Sequence, residues 1–199
     1  MSIFNVKKII FMFLIWYNNI IMLEQNVLVV VDYQNDFVCG SLPVPDAAAI
    51  EDAVAQRVEA AYQNGDRVIF LKDTHPKTYL QTQEGKHLPV PHCIGGTKGH
   101  GLYGRLKALE GLHGSVTVEK LQFGTFDIPA RLKTLRVAPK SFTVIGVATE
   151  ICVISNALIL KSQFRETPVT IDSGACAGLS KEAEDAAFSV ARACQIEIV

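Results

Sequence analysis

From Met22 onward, short β-branched runs alternate with stretches whose apolar residues recur at helical spacing. Parallel strands and their crossover helices leave this alternation in a sequence, so the chain belongs to the α/β class. The run 27–31 (VLVVV) is apolar at every position, which suits a central strand covered on both faces. Residues 46–64 put Ile50, Val54, Val58 and Ala61 on one helical face, with Asp46 as a possible N-cap and Gly65 just past the end. The same patterns predict strands over 67–71, 115–118, 142–147, 169–172 and 196–199. They predict helices over 102–109, 127–135, 150–164 and 181–194, the third carrying Val153, Ala157, Leu160 and Phe164. Right-handed crossovers make a doubly wound, mainly parallel sheet with helices on both faces the natural outcome.

The segment 72–103 breaks this rhythm, since it holds prolines, glycines and four of the five histidines. A loop of that length in a compact domain is usually functional. At 199 residues and 49% apolar content the chain can bury one sizeable core, so a single domain is expected over 22–199. Nineteen basic residues face 20 acidic ones. That balance offers no field of one sign to nucleic acid or to an anionic membrane, and it points to a small or neutral partner. Cys39, Cys93, Cys152, Cys176 and Cys194 form an odd set without a CxxC pair, which fits reduced thiols in a cytoplasm better than a disulfide framework or a zinc ribbon.

The first 21 residues read as an extension outside the fold. Lys7 and Lys8 precede an apolar stretch over 9–17 that Asn18 and Asn19 interrupt. It is too short to span a bilayer comfortably and no small-residue cleavage site follows; a weak anchor is the other reading. Met22 stands directly before the first strand and is the expected native start.

Three residues at strand ends carry candidate chemistry. Asp32 ends the first strand, at the carboxyl edge where open α/β sheets bind ligands. Cys152 follows the 142–147 strand at the start of a helix, where dipole and free N–H groups lower a thiol pKa and leave donors for an oxyanion. Lys120 follows another strand. Taken singly, Asp32 also reads as a turn cap, Cys152 as a core thiol and Lys120 as a solvated lysine, while Cys176 and Cys194 read as buried structural cysteines. Together they supply an acid, a cation and a thiol, as a thiolate mechanism requires.

The stretches VVVDYQNDF at 29–37, EKLQFGTF at 119–126 and GVATEICV at 146–153 carry these three residues in order, and on them the chain from 22 to 199 resembles the nicotinamidase and isochorismatase-like cysteine hydrolases. The resemblance implies that Asp32 accepts the thiol proton, that Cys152 attacks a carboxamide carbon and that Lys120 supports both. It also implies a cis peptide between Val147 and Ala148, with the backbone N–H groups of Ala148 and Cys152 as an oxyanion hole. Asp73-x-His75, Glu84 and His92 in LPVPHC mix carboxylate and imidazole in a way that suits zinc first, with manganese or iron as alternatives. By the same resemblance these four hold a divalent metal that takes the ring nitrogen of nicotinamide, with His87 as the other candidate for the Glu84 position. His100 and His113 are expected on the surface, as is His87 when it is not a ligand. Pro89 stands where many nicotinamidases have a tryptophan, so the aromatic wall falls to Phe37, Tyr79, Phe123 and Phe126.

The expected activity is therefore hydrolysis of a small carboxamide, most readily nicotinamide, to acid and ammonia. Another small amide, such as a carbamoyl or ureido compound, is the second enzymatic reading, and a ligand-binding protein on the same fold is the non-enzymatic one. A dinucleotide site is poorly supported because no GxGxxG follows the first strand. Members of this superfamily usually associate, which implies a homodimer or homotetramer.

Overall fold

In the computed structural model, which describes residues 22–199, the run beginning at Val27 lies in the middle of a six-stranded sheet. The strands are β1 (Leu23–Val31), β2 (Arg67–Asp73), β3 (Val116–Lys120), β4 (Val137–Val147), β5 (Val169–Ala177) and β6 (Glu197–Ile198). Their order is β3-β2-β1-β4-β5-β6 and every pairing is parallel. Side chains of β1 alternate between two cores, as the two-residue period of a strand demands. Val27, Val29 and Val31 pack into one cluster with Leu132, Leu160 and Phe188, and Leu28 and Val30 into the other with Val54 and Val58. Each such fully buried aliphatic side chain contributes roughly 1.5–3 kcal/mol of transfer free energy.

The helices are α1 (Asn35–Val38), α2 (Glu51–Asn64), α3 (Gln83–His87), α4 (Leu106–Leu109), α5 (Ile128–Leu135), α6 (Ile154–Gln163) and α7 (Lys181–Ala193). Gly65 closes α2 in the left-handed conformation at φ 73°, its N–H reaching the carbonyls of Ala61 and Tyr62. At the other end the expected cap is corrected. Residues 46–50 form a turn, Asp46 itself has φ 58°, and the helix starts at Glu51 with no side-chain cap. The helix expected over 102–109 shrinks to α4, because Leu102 forms a bridge with Gln34 instead. The helix expected over 150–164 opens with a π-helical turn, Thr149–Val153, before α6. Strands β1, β4 and β5 all run further than their apolar cores, with polar or exposed residues in the added parts. Cys176 is buried as expected, whereas Cys194 is exposed just beyond α7, on the solvent side of an amphipathic end.

Strand order reverses between β1 and β4, so their carboxyl ends frame the crevice in which sheets of this kind bind ligands. Gly146 makes their close approach feasible. It has φ 119°, and a Cβ there would run into the Val31 backbone opposite. Among the described residues no helix is long and apolar enough to cross a membrane. The 1–21 extension, the apolar stretch within it and the start at Met22 concern residues outside those described.

Candidate active site

Asp32, Lys120 and residues 148–153 leave the carboxyl ends of β1, β3 and β4, and their functional groups meet at the crevice. The Lys120 ammonium lies 2.7 Å from Asp32 Oδ2, 3.4 Å from Asp73 Oδ1 and 3.6 Å from Cys152 Sγ. All four residues are buried. A buried charge is tolerable only when paired, and Lys120 is shared between two carboxylates and the sulfur. Asp32 stands at φ 51°, in the left-handed region that aspartate tolerates better than most residues.

Burial pushes the Asp32 carboxyl up to about 6 against the opposing pull of Lys120. Burial also drives the Cys152 thiol well above its ordinary value, reinforced by Asp32 and opposed by Lys120. This direction is opposite to the lowered thiol pKa expected from the helix start, because Cys152 is enclosed and desolvated. Cys152 rests as a thiol beside an acceptor carboxylate, and Lys120 stays protonated, held there against desolvation mainly by Asp32.

The Val147–Ala148 peptide is cis. The Ala148 carbonyl accepts from the N–H groups of Ile151 and Val153, both at 3.1 Å, which flank Cys152 in the π-helical turn. Asn156, fully buried, fixes that turn to the loop after β3. Its Nδ2 donates to the carbonyls of Cys152 (2.7 Å) and Phe123 (3.0 Å), and its Oδ1 accepts from the Thr125 N–H.

A second cluster adjoins the first through Asp73. Asp73 Oδ2 is 2.8 Å from His75 Nε2 and 3.4 Å from His92 Nε2, while Glu84 Oε1 stands 3.6 and 3.8 Å from the same two nitrogens. His75 Nε2 is buried, with Asp73 Oδ2 as its nearest charged neighbour. His92 Nδ1 lies 2.8 Å from the Val90 carbonyl, which orients the ring with Nε2 toward Asp73 and Glu84. Asp73, His75 and His92, whose ligand atoms all lie within 4.8 Å of one another, fit a divalent cation, and Glu84 Oε1 stands beside the two imidazoles. Against desolvation that would raise it, the two imidazoles and Lys120 hold Asp73 well below the usual carboxylate range. His87 is exposed, and its Nδ1 lies 2.9 Å from the Gln83 carbonyl rather than among the other nitrogens and oxygens.

Both clusters open on a cavity of about 160 Å³ lined by Cys152, Ala148, Asp73, Glu84, His92 and a set of apolar side chains that includes Phe37, Phe123 and Leu179. Phe37 and Phe123 thus reach the cavity, and the other two expected aromatics do not. Phe126 is 71% exposed, and Tyr79 is buried behind the ligand cluster, its ring against His75 and its hydroxyl donating to the Leu88 carbonyl. The expectation that His100 is a surface residue is also corrected. It is buried, with Nε2 2.8 Å from Thr74 Oγ1, while His113 is exposed.

Three positioning residues escaped the reading of the sequence. Gln34 clamps the start of the ligand loop, its Nε2 donating to the carbonyls of Asp73 and His100 and its Oε1 accepting from the Asp73 N–H. Asp36 accepts from the N–H of Cys93, next to His92, at 2.7 Å. Asn156 is the third. Gln34 and Asp36 lie within the 29–37 stretch, two and four residues after Asp32, and that shared stretch was the one available signal for them.

The isochorismatase domain model matches residues 26–199. A Bacillus subtilis isochorismatase family protein, PncA, is 31% identical over 141 residues, which span 66% of this chain and 75% of that protein. The pyrazinamidase/nicotinamidase of Streptococcus mutans superposes with a TM-score of 0.78 at 30% identity, covering 88% of this chain and 100% of its own. A pyrazinamidase of Pyrococcus horikoshii, solved in complex with zinc, gives 0.76 at 27% identity, covering 88% and 98%.

Proposed function

Because this chain belongs to the isochorismatase domain family, we propose that it hydrolyses a small ring carboxamide, nicotinamide in first place, to the acid and ammonia through a thioester on Cys152. One observation carries the reading. The Cys152 thiol, backed by Lys120 at 3.6 Å and through it by Asp32 at 2.7 Å, lines one cavity together with Asp73, Glu84 and His92 of the adjoining cluster.

Asp32 takes the proton of the Cys152 thiol as sulfur bonds to the carboxamide carbon. Lys120 holds the Asp32 carboxylate in place and offsets the negative charge as it moves from carboxylate to sulfur. The oxyanion so formed is placed against the N–H groups of Ala148 and Cys152. Asp32 then returns its proton to the departing nitrogen, the carbon–nitrogen bond breaks and ammonia leaves the acyl group on sulfur. A water deprotonated by Asp32 attacks the thioester, the carbon–sulfur bond breaks, and the thiolate recovers the proton.

Asp73, His75, Glu84 and His92 are the residues that would hold a divalent ion, zinc foremost with manganese and iron as alternatives, and it would supply a positive centre for a ring nitrogen or water. Phe37 and Phe123 flank the ring. The carboxamide is thereby oriented toward sulfur, which supplies part of the advantage of an intramolecular reaction. As further parts of this proposal, the enzyme works in the cytoplasm as a homodimer or homotetramer and returns nicotinamide to NAD synthesis as nicotinate. Ammonia release from a panel of small amides tests the reading. Nicotinamide should be turned over best, and a clear preference for ureido or carbamoyl compounds would refute it.

A further inference from the structure

Beyond the catalytic cavity lies a second one of about 510 Å³, roughly three times larger. Glu84 and Phe123 line both, so the two spaces share a wall. Pockets that bury drug-sized ligands run to about 300–1,000 Å³. The inner cavity falls short of that range and suits a single ring with its carboxamide, whereas the outer one falls within it.

The partition between them is light. Phe123 is 50% exposed, so turning its ring forfeits little burial, while its backbone carbonyl stays pinned by Asn156. The outer lining is mixed. Leu121 gives an apolar side, and Gln83, Gln122 and His87 bring amide and imidazole groups. The Thr82 hydroxyl is already engaged, donating to the Tyr79 carbonyl and accepting from the Gly85 N–H. The Glu84 carboxylate on the shared wall disfavours an anion, and among the described residues no lysine or arginine lines the space.

We propose that the outer cavity is a second subsite of the same centre, which takes the uncharged, hydrogen-bonding substituent of a ring carboxamide larger than nicotinamide, with Phe123 turning aside to admit it. The inference rests on reading the centre as a carboxamide hydrolase. It extends the substrate class to ring carboxamides bearing a hydroxyl- or amide-containing chain remote from the reacting group. Leu121 and Gln122 line only the outer cavity, and neither touches the reacting atoms.

The test is calorimetric, on metal-loaded Cys152→Ala protein, which cannot turn the amide over. The probes are nicotinamide and nicotinamides carrying a hydroxyethoxy chain on either ring carbon remote from the carboxamide. At least one extended amide should bind within about tenfold of nicotinamide, the discrimination range of a single misfit group. Leu121→Trp and Gln122→Trp, both at solvent-facing loop positions, fill the outer space from different sides. Each should weaken the extended amide by about tenfold or more while nicotinamide stays within about twofold. The subsite is refuted if no extended amide binds, if neither substitution discriminates, or if both probes weaken alike. Ammonia release from nicotinamide by the unmodified enzyme is measured separately. If nicotinamide binds but is not hydrolysed, the hydrolase reading fails and the subsite is judged on the binding ratios alone.

Discussion

Asp32 combines a left-handed backbone, complete burial and a lysine at 2.7 Å, and all three bear on how it can act as a base. A carboxyl at its ordinary value would accept a thiol proton poorly. Desolvation lifts it to about 6, nearer the value a general base needs at neutral pH. The sign of the pH dependence follows. The ionised carboxylate is the working form, so kcat/KM for nicotinamide should be constant above the lifted value and fall as pH drops through about 6, with unit slope. A profile flat down to the ordinary carboxylate range would show that Asp32 is not the group being titrated. The position of Asp32 was legible because five apolar residues precede it. Gln34 was not, since its partners Asp73 and His100 lie 39 and 66 residues away and a polar side chain has no period that announces them.

At the scale of elements, Cys152 sits in the π-helical turn and the ligand cluster in the segment between β2 and α4, beside the strand ends that carry Asp32 and Lys120. Helical spacing in 150–164 was real, yet it could not reveal the π turn, because Val153 and Ala157 keep the same buried face whether the first turn is α or π. In the loop after β3 the residue types were legible and their directions were not. Phe123 lines the cavity and Phe126 points to solvent, though nothing in LQFGTF distinguishes them. Asn156 ties this loop to the turn, so Asn156→Ala removes three hydrogen bonds at once, two of them buried. It should destabilise the fold by about 1–3 kcal/mol in urea unfolding and lower kcat by loosening both segments; full stability would contradict the tether.

The ligand cluster belongs to the same scale, since β2, α3 and the strap after it each supply part of it. Chelation should release one divalent ion per chain and lower nicotinamide turnover by about 10-fold or more, and His92→Ala should do the same. Alkylation of Cys152, which needs no ring ligation, should change less. Chelated protein working at its full rate would assign the cluster a purely structural role.

For the whole molecule, the alternation of strands and helices specified the fold class, and the all-apolar run at 27–31 identified the central strand. Strand order was not legible, because crossovers of similar length serve several parallel arrangements. The added parts of β1, β4 and β5 were missed because polar or exposed residues, such as Glu24 to Asn26, Lys140 and Ser173, interrupt the apolar signature there. The site depends on that order, since the reversal between β1 and β4 brings Asp32 and Cys152 to one crevice from positions 120 residues apart in the chain. The measurement that reaches the central claim most directly is peptide mapping by mass spectrometry after rapid acid quench of enzyme and excess nicotinamide. A nicotinoyl group should appear on the peptide containing Cys152, formed as the first ammonia is released, and should be absent from Cys152→Ala, which should release none. Ammonia released by Cys152→Ala at the rate of the unmodified enzyme, with no acyl group on any cysteine, would contradict the account.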